Sequence, residues 1–277
     1  MTVKEYLLPR SLDEATGLLA ERGPSLLVMA GGTLAMPLIN EGISMPERVM
    51  GLRHAGLDQL TRSNGTLVIG ATTTMTTMCN HTEVPLLREA ASNVAGWAIR
   101  NMGTVGGNLF APPPAGDFAT ALLALDARVK LVSRAGGERL LPLAEFYTGF
   151  LTNALQPAEL LAEIRVPVPA GRTVFVKFGR RHANTPAVVT VAAYLTMEGG
   201  KVRDARIALN AVGPHPIRAR RAEASLTGSA LTKESIARAA SAAAEECQPF
   251  TDAIASEWYR RKMAAVYVDR ALSQVAA

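Results

Sequence analysis

The sequence predicts an α+β protein in two parts, and three observations carry that prediction. The chain has 277 residues, enough for one large or two ordinary domains. The stretch Pro167-Val168-Pro169-Ala170-Gly171-Arg172 reads as a linker, dividing the chain into 1–171 and 172–277. Beyond it, intermixed strands and helices give way to strands followed by helices, the order of an α+β domain. Hydrophobic residues at 48% and charged residues at 19% supply a packed core and argue against disorder.

Taken in order, Ser11-Leu12-Asp13-Glu14 is a capping-box pattern. It opens a helix with Leu12, Ala15, Leu18 and Leu19 on one face, and Gly23-Pro24 stops it. Residues 26–29 are a short apolar run, expected as a buried strand. The chain then turns at Ala30-Gly31-Gly32-Thr33 into a mixed segment, 34–43. Residues 48–50 and 66–70 read as strands. Thr72-Thr73-Thr74 precedes a helix, and a second begins at Pro85, carrying Leu86, Leu87, Ala90, Ala91 and Val94 up to Gly96. A second glycine cluster follows from Arg100 to Asn108. Pro112-Pro113-Pro114 is expected to be rigid and extended. Asp117 stands where an N-cap is wanted for the apolar helix 118–125. Residues 128–132 and 138–141 flank Ala135-Gly136-Gly137 as a hairpin, and 160–166 form a strand running into the linker. After it come three strands, 173–178, 188–197 and 202–212, the last two joined across Gly199-Gly200. Helices 232–246 and 256–275 end the chain, the latter with an apolar face of Met263, Val266, Tyr267 and Leu272.

Charge excludes some function classes. The net charge of +5 is dispersed, densest at Arg180-Arg181 and at Arg218, Arg220 and Arg221. Aromatic residues are 5% with no aromatic–basic interleaving, which argues against nucleic acid. Cys79 and Cys247 lack CxxC or Cys/His spacing, so neither a disulfide framework nor a metal site held by this chain alone is expected. With no apolar run of ~18 residues and no signal-peptide pattern, the expectation is a soluble cytoplasmic protein.

The two glycine clusters are the candidate site. Glycine concentrates where φ is positive or where something approaches the backbone closely. Two such loops, each with a hydroxyl (Thr33, Thr104), suit a cradle for one anionic ligand such as a diphosphate; the plain alternative is two tight turns. Neither cluster fits G-x-x-x-x-G-K-[ST] or G-x-G-x-x-G.

Read together with its surroundings, the pair resembles a known family. Leu27-Val28-Met29-Ala30-Gly31-Gly32-Thr33 followed by Met36-Pro37-Leu38 is similar to the first FAD loop of the flavoprotein subunits of molybdenum hydroxylases, the group of carbon monoxide dehydrogenase and xanthine dehydrogenase. Gly103-Thr104-Val105-Gly106-Gly107-Asn108, with Pro114 and Asp117, resembles the second loop. Residues 160–167 resemble the strand ending that family's FAD domain, and Tyr259-Arg260 through Arg270 its C-terminal helix. The resemblance implies a two-part PCMH-type FAD-binding domain followed by a smaller α+β flavoprotein domain with a three-stranded antiparallel sheet and helices. It implies FAD as cofactor, with no catalytic base, nucleophile or metal required of this chain. The implied cofactor-binding residues are Leu27, Val28, Met29, Ala30, Gly31, Gly32, Thr33, Leu34, Arg100, Gly103, Thr104, Val105, Gly106, Gly107, Asn108, Asp117, Leu161 and Lys177. Within this set the loops give N–H groups to the diphosphate, Asp117 accepts from ribose or adenine, Leu161 is an apolar contact, and Lys177 lies near the isoalloxazine. From the residues alone, Asp117 also reads as an N-cap, Leu161 as core and Lys177 as a solvated strand residue. The implied partners are a two-[2Fe-2S] small subunit and a molybdenum-cofactor large subunit, in a dimer of heterotrimers.

Two positions depart from the family pattern. Leu34 stands where many relatives carry an aspartate, and Thr185 where carbon monoxide dehydrogenase-like members carry a tyrosine. A stand-alone flavin oxidase and a scaffold subunit that has lost flavin are the rival readings.

Overall fold

The computed structural model describes residues 3–276. Its first part holds a parallel sheet of three short strands, with Arg48–Gly51 between Glu5–Leu7 and Leu26–Met29. Beside it lies an antiparallel five-stranded sheet in the order Leu60–Ser63, Thr66–Gly70, Leu160–Pro167, Arg128–Ser133, Gly137–Pro142. Ser11 caps the helix Leu12–Arg22 by accepting from Glu14 N, while the Glu14 carboxylate reaches back to Arg10 N rather than to the cap itself. Gly23 ends that helix at φ 62°.

The second part is an antiparallel sheet ordered Arg172–Gly179, Ala187–Glu198, Lys201–Asn210, Ile217–Arg218. The last strand adds to the three expected; at two residues it is too short to show alternation in sequence. A helix, Arg220–Leu226, was likewise not anticipated. The arginines around it are not a free basic patch: Arg218 pairs with Glu223 and Asp126, Arg220 with Glu223, and Arg221 with Glu245.

Both faces of this sheet are buried, so its strands alternate between two cores. Val174, Val191, Ala193 and Leu195 face the helices Lys233–Glu246 and Glu257–Ala276. Phe175, Ala192, Tyr194 and Ala208 face the first part and join its largest core. The helix Asp117–Ala124 lies between the two parts, and every one of its residues is buried. The C-terminal helix fully buries Ala264, Val268, Ala271, Leu272 and the whole of Arg260, while Met263 and Tyr267 of the expected face pack at the edge of that core and Val266 is only half-buried. Arg260 is held there by carbonyls of Ala187, Val188 and Ala211 and by both oxygens of Asp252. No helix among the described residues is long and apolar enough to cross a membrane.

Four local expectations are corrected. Only Leu26 of the strand Leu26–Met29 is buried, because the other three line a cleft. The second glycine cluster is not a loop but a junction between two helices, Trp97–Met102 and Val105–Leu109. Pro113 and Pro114 lie in a turn closed by Ala115 N donating to Pro112 O, not in an extended piece. Asp117 is the first residue inside its helix, and Gly116, at φ 82°, takes the cap position.

Candidate functional site

The two glycine clusters meet. The strand Leu26–Met29 ends, and the chain turns through Gly32 at φ 73°, a left-handed backbone that favours glycine. Gly31 then passes under the end of the helix Trp97–Met102: a Cβ on Gly31 would stand 1.8 Å from Met102 O. The glycines of the second cluster serve close approach rather than unusual φ. A Cβ on Gly106 would lie 2.7 Å from Ala71 O, where Gly106 N itself donates at 2.9 Å. Thr104 is the N-cap of Val105–Leu109, and its hydroxyl accepts from Gly107 N at 3.1 Å.

These loops wall a cleft of about 540 Å³. Of the sequence candidates, all of 27–34 line it, with Gly103, Thr104, Gly107, Asn108, Asp117 and Lys177. Four others do not. Val105 and Gly106 are buried behind the wall. The Arg100 guanidinium turns away, donating to Ser92, Val94 and Ala95 carbonyls and so holding a bend in which Ala95 adopts φ 43°. Leu161 is a buried core residue lining an adjoining space of about 190 Å³. That space shares Val28, Ala30, Gly107 and Phe110 with the cleft.

The two loops offer different groups to a ligand. Among the described residues, the amides of Gly31, Gly32 and Thr33 donate to no protein acceptor. In the second segment Gly103, Val105, Gly106, Gly107 and Asn108 amides are taken by Ile99 O, Thr73 O, Ala71 O, Thr104 Oγ1 and Thr104 O. Its cleft-facing polar groups are therefore the Thr104 hydroxyl and the Asn108 carboxamide, whose Oδ1 is buried without a partner. Buried polar atoms without partners are rare in folded proteins. Free amides on one side, the Thr104 hydroxyl on the other and backbone bare of Cβ between them fit a diphosphate, while the Asn108 Oδ1, an acceptor, suits a donor such as a ribose hydroxyl.

The far wall joins the two parts of the chain. Lys177 Nζ donates to Asp117 Oδ2 at 2.6 Å and to Asn93 O at 2.9 Å. Thr190 Oγ1 donates to Asp117 Oδ1 at 2.6 Å. The Lys177 side chain is 8% exposed and that of Asp117 6%, so neither is a solvated residue. Thr190 was not among the candidates: the strand pairing that sets it beside Lys177 has no local signature in sequence. Met75, Phe110 and Gly116 also line the cleft and were not singled out. Thr185 lines its rim, together with Asn184.

A cleft between two α+β parts, with a glycine cradle at its centre, defines a dinucleotide-binding protein. The comparisons name the family. A model described as "FAD binding domain in molybdopterin dehydrogenase" matches residues 2–169, and "CO dehydrogenase flavoprotein C-terminal domain" matches residues 174–275. The chain is similar to the caffeine dehydrogenase subunit beta of Pseudomonas sp. (strain CBB1), 34% identical across 99% of this chain and 95% of that one. It is also similar to the carbon monoxide dehydrogenase medium chain of Afipia carboxidovorans, 33% identical across 99% and 96%. A crystal structure of the Cu,Mo-CO dehydrogenase contains a chain that superposes with a TM-score of 0.94 at 31% identity, covering 100% of this chain and 99% of that one. The protein belongs to the FAD-binding subunits of the molybdenum hydroxylase family.

Proposed function

We propose that the chain is the electron-transfer flavoprotein of a three-subunit molybdenum hydroxylase. A two-[2Fe-2S] subunit passes it electrons from a molybdenum-cofactor subunit, and they leave to an external acceptor. Bound FAD supplies the redox chemistry, and the chain supplies binding and orientation. The observation that carries this reading is the meeting of the two glycine clusters at Gly31 and Met102. Gly31, Gly32 and Thr33, whose amides donate to no protein acceptor among the described residues, line the cleft together with Thr104 and Asn108. We assign the diphosphate to this part of the cleft, and the two ring systems to the cleft and the adjoining space. Asp117, Lys177, Gly106 and Leu161 then wall these chambers, while Arg100 and Val105 act behind them. Domain boundaries at 1–171 and 172–277 go with the reading, as does assembly into a dimer of heterotrimers.

The lip of the cleft supports a partner. Leu38 and Ile99 line the cleft and stand exposed, and Ile43, beside the lining Ser44, and Trp97, two residues before Ile99, are 68% and 72% exposed. Exposed apolar side chains at the edge of a site mark protein interfaces. Arg180 and Arg181, by contrast, are spent on Ala253 and Asn184 carbonyls. A cytoplasmic location accords with the free thiols of Cys79 and Cys247, the latter pushed up to about 12 by burial.

The test is reduction of the FAD by substrate in the assembled complex, followed by flavin absorbance. Trp97→Glu with Ile43→Glu should keep FAD on the chain while losing the partner and the reduction. Unchanged assembly and reduction would remove this lip from the reading. An assembled wild-type complex whose FAD is not reduced would overturn electron transfer itself.

A further inference from the structure

Three polar side chains form one cross-strand row on the face of the C-terminal sheet turned toward the first part. Lys177 is in register with Thr190, and Thr190 with Asn210. Beside the row the same face carries the buried apolar residues Phe175, Ala192, Tyr194 and Ala208, with Arg206 over the Tyr194 ring farther along. All three polar residues bond to one short segment: Lys177 and Thr190 to the Asp117 carboxylate, and Asn210 Nδ2 to Ala115 O at 2.8 Å. Taking an ion pair out of water costs several kcal/mol per charge, roughly what its attraction returns, so burial by itself does not explain it. Its position does: Asp117 and Lys177 both line the cleft.

We propose that Asp117 is the counter-ion that sets the charge of the cofactor cleft. It holds the Lys177 ammonium against the wall, with Thr190 fixing its other oxygen, so the cleft presents a neutral pair rather than a bare cation. Asp117 is thus a positioning residue acting through Lys177, not an acceptor for the ribose. The proposal rests on the reading of the cleft as the FAD site.

A flavin gains negative charge on reduction, and a net charge beside it shifts its potential. The test is spectroelectrochemical titration of the full FAD-loaded chain as wild type, Asp117→Asn, Lys177→Met and the double variant. Asp117→Asn uncovers the cation, so its potential should become more positive. A roughly tenfold shift in the reduction equilibrium is about 30 mV for a two-electron couple. Lys177→Met leaves an unpaired carboxylate and should move the potential the other way. The double variant, with no buried charge, should return to the wild-type value and fold even where a single variant does not. A double variant displaced as far as Lys177→Met would overturn the counter-ion role. So would an Asp117→Asn chain with an unchanged potential, or one that loses FAD while its fold is intact.

A parallel urea-unfolding cycle on the cofactor-free chain reads the pair independently of flavin. The single variants should each cost more than the double, and additive effects would overturn the pairing. A wild-type chain that takes up no FAD overturns the reading of the cleft instead, whatever the unfolding cycle shows.

Discussion

Gly31 and Met102 are in backbone contact across the two glycine clusters: the space a Gly31 Cβ needs is occupied by the Met102 carbonyl, 1.8 Å away. Neither loop can shift independently of the other. Gly31→Ala should therefore force them apart, at about 1–3 kcal/mol, the usual cost of overpacking. Urea unfolding measures the first effect and the flavin-to-protein ratio the second, which should fall. Unchanged stability in the variant would mean the loops do not touch in solution.

Gly107 is a different case. Its φ lies in the ordinary helical range of Val105–Leu109, so no backbone strain opposes a side chain. A Cβ there meets only Thr104 Oγ1, at 2.9 Å, and otherwise enters the cleft. Gly107→Val is expected to fold and to bind FAD at least about tenfold more weakly, or ~1.4 kcal/mol. Equilibrium titration with FAD checks this. Stoichiometric flavin on the purified variant would place the diphosphate elsewhere.

The wall of the adjoining space gives a pH dependence. Arg139 donates to both oxygens of Glu159, at 2.6 and 2.7 Å, and this pairing holds the Glu159 carboxyl below the usual carboxylate range. A group depressed on folding contributes stability above its unfolded value and loses it as the pH falls through the folded one. Glu159→Gln should be less stable than wild type near neutrality, and the gap should close below about pH 4. Denaturant unfolding across pH 3–7, a range spanning roughly the carboxylate titration, measures it. A gap that persists at the acid end would separate Glu159 from the acid sensitivity.

Local signals in the sequence were read correctly where the physics is local. Ser11 and Thr74 precede helices because their hydroxyls accept from amides three residues on. Thr104 does the same, although the sequence reads it as a loop hydroxyl. Gly199 and Gly200 turn a hairpin because both adopt positive φ. The same locality misled at Asp117. Its side chain type predicted a cap, but the tertiary partners Lys177 and Thr190 claim both oxygens, and Gly116 supplies the left-handed turn instead. Arg100 was grouped with the cofactor residues by its place beside the glycines, while the structure turns it onto the carbonyls of a preceding bend.

By itself the sequence determined most of the longer elements, the two-part division into intermixed and strand-then-helix halves, and which glycines matter; the short helices around the second glycine cluster and at Arg220–Leu226 escaped it. Capping, alternation and the absence of a Cβ act within a few residues, so they are written in consecutive letters. Only the tertiary structure decided why those glycines matter. Gly31 and Gly106 are small because Met102 and Ala71 carbonyls, distant in sequence, occupy the space of a side chain. It also decided that Lys177 is a partner of Asp117, because strand register and the packing of the helix Asp117–Ala124 between the two parts bring together residues sixty positions apart. Contacts of that span depend on how whole elements pack, and no short stretch of sequence carries them.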